Sequence, residues 1–322
     1  MTETLSIARR EHDRSNIGQS VMIISALAAI LGLTGFVLYG TTGLLLALFL
    51  ALVLIFMSGR ASPALVLKMY KAQPIDGNDL PELQQMFKTL VEKAELPHLP
   101  KLYFVPSKMM NAFAVGRGDQ SVVAVTHGLL KHMNNREING VLAHEISHIK
   151  HRDLWVMGLA DAFSRLTTSM GQIGQIMLLF SIPAILMGKQ ASIPWLVLIV
   201  LLLAPMSAGL LQLALSRSRE FEADYGAAQI TGDPNGLASA LRKIEQASTS
   251  WLQNAIKPGN KVPAPAILRT HPPTDERIER LVELSGKALP TQVALPEIEI
   301  KAPNPLHKLR RPRWHIMTGL WY

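Results

Sequence analysis

Two stretches of this chain dictate what it can become. Ser20 to Tyr39 is a run of twenty residues without a charged side chain, and Ala191 to Leu215 is another of 25, built mostly of Leu, Val, Ile and Ala. A helical bilayer crossing takes about 20 apolar residues, and inside lipid the backbone must satisfy its own hydrogen bonds, which a helix does. Hydrophobic residues at 48% and charged residues at 17% fit a membrane protein better than a soluble one. A second apolar run, Gly43 to Met57, follows the first after only Gly40, Thr41 and Thr42, so the two read as a tight transmembrane hairpin. No small-residue cleavage site separates them, which argues against a cleavable signal peptide. Leu166 to Met187 is uncharged but carries Thr, Ser, Gln and Gly. It reads either as a polar-faced span packed on protein or as an amphipathic element, and it pairs with Ala191 to Leu215 as a second hairpin. Pro194 and Pro205 are expected to bend the last span.

Orientation follows from Lys and Arg near the span ends. Arg9, Arg10 and Arg14 precede the first span, Arg60, Lys68 and Lys71 follow the second, Arg152 and Arg165 precede the third, and Arg217 and Arg219 follow the fourth. The opposite side offers only Lys189. Both termini and the polar mass are therefore expected in the cytoplasm. Of the net charge of +8, five units come from Lys301, Lys308, Arg310, Arg311 and Arg313, which follow the last acidic residue, Glu299. Such a tail suits anionic lipid. No zinc-finger, RNP-like or helix-turn-helix pattern accompanies it, so nucleic acid is not an expected partner.

The polar residues fall in two blocks. In the first, Pro81 to Leu96 has helical spacing, closed by Pro97 and Pro100, and Lys101 to Val105 and Ser121 to Thr126 read as short strands. In the second, Gly236 to Gln246 and Asp275 to Leu284 are periodic as helices, and the chain from Pro290 on reads as an extended tail.

The chain has no cysteine. Disulfides, thiolate metal sites and thiol nucleophiles are excluded, and any metal must sit on His and carboxylate. Against that restriction, Ala143-His144-Glu145-Ile146-Ser147-His148 matters. On a helix, His144 and His148 stand one turn apart on one face and can reach one ion, while Glu145 flanks it. Apolar neighbours mark this helix as buried from Val141 to Ile149, with Asn139 and Gly140 as its start, and two buried imidazoles without a ligand would be costly. A tetrahedral catalytic zinc needs a third protein ligand from the same side of the membrane. After two crossings the chain returns with Arg217-Ser-Arg-Glu220-Phe-Glu222-Ala-Asp224. Glu220 and Asp224 share a helix face, whereas Glu222 points about 200° away from Glu220. The economical assignment puts Glu220 on the metal and Asp224 behind it, accepting an N–H from a ligating His. Glu222 then faces solvent or an arginine. The competing reading, a charged membrane-exit helix with Arg217 and Arg219 snorkelling, explains the arginines but gives no reason for the carboxylate spacing.

Four motifs in order, Asn111-Ala-Phe-Ala114, Ala143 to His148, Ser216 to Asp224, and Thr270-His271-Pro272-Pro273, resemble those of the HtpX family of membrane zinc endopeptidases, relatives of the CAAX prenyl endopeptidases. The resemblance runs from about Val21 to Leu284. It implies one zinc ion held by His144, His148 and Glu220, with Glu145 as the general base. It also implies a fold that is mainly α and membrane-embedded: two transmembrane hairpins carrying an α+β cytoplasmic metallopeptidase domain with a small sheet. The expected segments are 1–19, a hairpin over 20–58, the first catalytic part over 59–165, a second hairpin over 166–215, the second catalytic part over 216–289 and a basic tail over 290–322. By its alternation Asn111 to Val115 reads as an edge strand before a Gly116-Arg-Gly118 turn, and the resemblance implies that Asn111, Ala112, Phe113 and Ala114 pair with substrate backbone. His271 stands before two prolines in rigid, extended chain, and it serves either oxyanion stabilisation or capping of the Asp275 helix. The remaining histidines read as surface or structural. The expected activity is hydrolysis of misfolded or damaged membrane proteins at a bacterial inner membrane. Prenyl-protein processing and a non-catalytic metal scaffold are the alternatives, and the uncharged interiors of the two strongest spans disfavour a transporter.

Overall fold

The computed structural model describes residues 2–58, 63–76, 79–187, 195–255, 274–286, 314–315 and 320–321. The chain divides into two compact units, one formed by Met1–Arg60 and Trp155–Leu215, the other by Ala61–Leu154 and Ser216–Tyr322.

The first unit is helical. α1 (Thr2–Ser58) is broken where Tyr39 (φ −137°, ψ 22°) and Gly40 (φ 61°, ψ −143°) leave helical geometry. Only glycine takes up such a left-handed turn without strain, and it folds the run back as the expected hairpin. Gly35 and Gly43 then face each other so closely that a Cβ on either would collide with the carbonyl of the other. α6 (Asp153–Leu186) from Trp155 on and α7 (Trp195–Thr231) as far as Leu215 supply the rest. The element expected from Leu166 thus begins at Asp153, because nothing between the two breaks helical hydrogen bonding. Pro205 lies inside α7 without ending it, and Gly171 leaves room for its ring. Pro194 and Lys189 lie outside the described residues. Leu27, Leu31, Leu159, Phe163, Ala208 and Leu215 pack together as the core. Around them a belt of large apolar side chains faces outward, including Leu45, Phe49, Ile176, Phe180, Leu202 and Leu210. An outward apolar surface of this extent is what a lipid-facing bundle requires. By length and composition, Gly18–Phe56 and Val197–Thr231 can cross a membrane.

The second unit is α+β. α2 (Pro63–Tyr70) leads to β1 (Gln73–Pro74), α3 (Pro81–Lys93), β2 (Lys101–Val105), β3 (Ala112–Val115) and β4 (Val122–Thr126). The sheet order is β1-β2-β4-β3, with β2 and β4 parallel and the other pairs antiparallel. α4 (His127–His132), α5 (Asn135–His151), α8 (Pro234–Ala255) and α9 (Thr274–Ser285) complete it. Leu83, Phe87 and Leu90 of α3, Val123 and Val125 of β4, Ile138, Leu142 and Ile146 of α5, and Leu281 of α9 form one core. Each fully buried Leu or Ile contributes about 1.5–3 kcal/mol. In the tail, Trp314–His315 pairs antiparallel with Leu320–Trp321.

Candidate metal centre

α5 begins earlier than Asn139 and Gly140. Asn134 is its N-cap: the Asn134 side chain accepts from the Glu137 amide at 3.0 Å, and Glu137 accepts from the Asn134 amide at 2.9 Å. This capping box satisfies two otherwise orphaned donors. Glu137 also accepts from Ser239 Oγ at 2.6 Å and Lys243 Nζ at 2.7 Å, pinning the start of α5 to α8. Gly140 sits against the backbone of Leu237, where a Cβ would not fit. On the other side α7 approaches through small residues: Ala223, Ala227 and Ala228 are buried, and a Cβ on Gly226 would strike Ser147 Oγ. Gly140 thus lets α8 close on α5, and Gly226 with the small alanines lets α5 and α7, the helices that carry the candidate ligands, close together.

The result is a convergence. His144 Nε2 and His148 Nε2 are 3.2 Å apart, and Glu220 places Oε2 3.4 Å from His144 Nε2 and Oε1 3.8 Å from His148 Nε2. All three residues are buried, Glu220 to 1% exposure. Among the described residues this is a group able to hold a metal ion, its ligand atoms lying within 4.8 Å of one another. Behind it, His144 Nδ1 lies 3.0 Å from Asp224 Oδ1, and His148 Nδ1 lies 3.0 Å from Asp153 Oδ2. Carboxylates beside both Nδ1 atoms favour protons there, which in the metal-bound form would leave both Nε2 lone pairs to the ion. Three electron-rich donors facing one another repel unless a cation lies among them. Two imidazoles and one carboxylate form a donor set that zinc accepts. In the metal-free chain, burial alone would lower the pKa of His144, but hydrogen bonds to Asp224 and Glu220 outweigh it and push the group up to about 10.

Three residues around this centre were not read as part of it. Arg277 of α9 donates to both Asp224 oxygens at 2.7 Å and lies 3.0 Å from Glu220 Oε2. Burial opposes its charge, but Asp224, Glu220 and Glu145 hold its pKa above the ordinary arginine value. Arg219 is buried and reaches Asp153 at 3.4 Å, so it is not a snorkelling side chain. Asp153 itself, a lone acid after a basic stretch, carries no motif. Glu222 lies 3.9 Å from His151 with its side chain largely buried. Glu145 is buried next to His144 on α5.

Asn111 precedes β3, exchanging hydrogen bonds with Thr126 through its backbone N–H and C=O. Ala112 and Ala114 face the core, and Phe113 stacks on Tyr70 with ring centroids 4.7 Å apart. Burial pushes the Tyr70 hydroxyl up to about 12. Among the described residues, β3 pairs only with β4 and stands at the sheet edge. His271 lies outside the described residues.

A His-Glu-x-x-His helix whose histidines meet a glutamate from a second helix, in an α+β unit joined to apolar helices, defines a metalloprotease class. Residues 78–285 match the model of peptidase family M48. A protease HtpX homolog of Methylibium petroleiphilum is 36% identical over 289 residues, covering 84% of this chain and 98% of that relative. Another from Polynucleobacter necessarius is 34% identical, covering 84% and 96%, and one from Burkholderia ambifaria is 36% identical, covering 83% and 96%. The chain belongs to peptidase family M48, among its HtpX proteases. A crystal structure of S. mikatae Ste24p matches with a TM-score of 0.42 at 17% identity, over 83% of this chain and 65% of that one.

Proposed function

We propose that this metalloprotease is a zinc endopeptidase that cuts misfolded or damaged membrane proteins from the cytoplasmic side of a bacterial inner membrane. The observation that carries the zinc reading is the convergence of the two Nε2 atoms on the Glu220 carboxylate, with both Nδ1 atoms backed by carboxylates. His144, His148 and Glu220 would hold the ion, which when bound supplies a Lewis acid and a water of pKa about 7. Glu145 takes a proton from the attacking water and returns it to the leaving amine. Asp224 orients His144. The position of β3 at the sheet edge among the described residues supports an extended substrate backbone lying beside it, with Asn111 to Ala114 as its border. Specificity then rests on access and extended shape more than on side-chain pockets. The excess of Lys and Arg at one set of span ends supports the cytoplasmic placement, and the outward apolar belt supports insertion as two hairpins.

The test is Glu145→Gln in detergent-purified protein. Zinc content should match wild type while casein cleavage falls by at least about a hundredfold. Cleavage at the wild-type rate would remove Glu145 from the reaction.

A further inference from the structure

Asp153 follows Arg152, which takes a left-handed conformation to end α5, and it opens α6. It is fully buried. One of its oxygens meets His148 Nδ1 at 3.0 Å and the other faces Arg219 at 3.4 Å. Arg219 is bonded through the chain to Glu220. The His148 side thus mirrors the His144 side, where Asp224 meets Nδ1 and Arg277 grips Asp224. Formally, Glu145, Glu220, Asp224 and Asp153 bring four negative charges and the two guanidiniums two positive ones, a deficit that a divalent cation fills.

We propose that Asp153 and Arg219 form one positioning unit for the metal centre. Asp153 fixes the tautomer and ring plane of His148. Arg219 fixes Asp153, and because it adjoins Glu220 it ties the second and third ligands to the same buried carboxylate. A buried ion pair alone is a poor source of stability. Its use here is to hold an imidazole whose Nε2 must point inward, a task for which outer partners are worth about ten- to a hundredfold in metal affinity. The proposal rests on the zinc reading above.

Zinc affinity is measured on the full chain in detergent by competition with a chromophoric chelator, alongside the melting temperature of the metal-free protein. Asp153→Asn should bind zinc about ten- to a hundredfold more weakly and melt lower, since it takes from the buried Arg219 the carboxylate charge that faces it. Adding Arg219→Gln removes the guanidinium charge. The double variant should regain the wild-type melting temperature but keep the weakened zinc affinity, a split that a purely structural ion pair does not produce. Arg136→Ala, which breaks the exposed Arg136–Asp233 pair, should leave zinc affinity unchanged. Wild-type zinc affinity in Asp153→Asn or in the double variant overturns the proposal. If neither folds, Arg219→Lys decides, with about tenfold weaker zinc expected and unchanged affinity overturning it. A wild-type protein that binds no zinc sinks the zinc reading as well, whereas unchanged affinity in the variants beside a zinc-binding wild type sinks this proposal alone.

Discussion

Gly226→Ala should loosen the grip on the metal without touching a ligand. The added methyl would fall on Ser147 Oγ, 3.1 Å from Ser147 Cβ and 3.6 Å from His151 Cε1. Ser147 is fully buried between the two histidines, with its hydroxyl 3.3 Å from His151 Nδ1. Rotating Ser147 Oγ away gives up its contact with His151 and still leaves the methyl 3.1 Å from Ser147 Cβ, which presses α5 and α7 apart by a few tenths of an ångström. Overpacking of this kind costs about 1–3 kcal/mol, and metal ligands tolerate displacements of only about 0.2 Å. If the full cost falls on binding, zinc affinity drops about five- to 150-fold, and whatever does not fall there lowers the melting temperature. Chelator competition and thermal melting on the same samples read both parts. Ser147→Ala alone gives up a weak hydroxyl contact, worth about 1 kcal/mol. Combined with Gly226→Ala it leaves a methyl pair that needs a shift of a few tenths of an ångström, so the double variant should recover most of the lost affinity. Wild-type affinity and melting in Gly226→Ala, or a double variant no better than the single, would refute the view that helix spacing sets the site.

Three further outcomes follow from the same contacts. In the metal-free protein His144 titrates near 10, above its ordinary value of about 6.5, so its stabilising charge is fully present below the ordinary value and is lost as pH rises through the folded one. Melting temperature should therefore fall across about pH 9–11 for chelator-stripped protein and not for zinc-loaded protein, and loading zinc at pH 8 should release a proton measurable by calorimetry in buffers of different ionisation enthalpy. Burial alone would raise the Glu137 pKa, but Lys243, Ser239 and the Asn134 amide outweigh it and hold it below the ordinary value. Its stabilisation is thus present above about pH 4.3 and lost as pH falls through the lower folded value, so Glu137→Gln should cost about 1–3 kcal/mol at neutral pH and flatten the acid limb of the melting curve. Gly35→Leu should prevent the α1 hairpin from closing, read as loss of monodisperse protein on size-exclusion chromatography in detergent.

The sequence made the apolar runs, the α1 turn and the strands legible because each rests on a local signal: charge-free length, a glycine able to adopt positive φ, and short runs rich in Val and aromatic residues. His144, His148 and Glu220 are legible from helical spacing together with the expectation that the chain returns to the same side after two crossings. Asp153, Arg219 and Arg277 are not, because their partners are distant in the chain and no periodicity marks a buried ion pair. Arg219 illustrates the trap: beside a long apolar run an arginine looks like a membrane anchor, and only tertiary packing reveals the carboxylate it faces. The start of α5 was misplaced for a related reason. Asn134 and Glu137 form a standard capping pair, but Asn139 and Gly140 lie closer to the apolar run, and Gly140 is there to admit Leu237.

Arg277 stands 53 residues beyond Asp224. A chain emerging from the ribosome therefore possesses both histidines and both carboxylates of the centre well before it possesses the guanidinium that lies against Asp224 and Glu220. Completion of the site waits for the synthesis of α9, and until Arg277 is made the buried acids of the centre lack one of the two guanidiniums that face them.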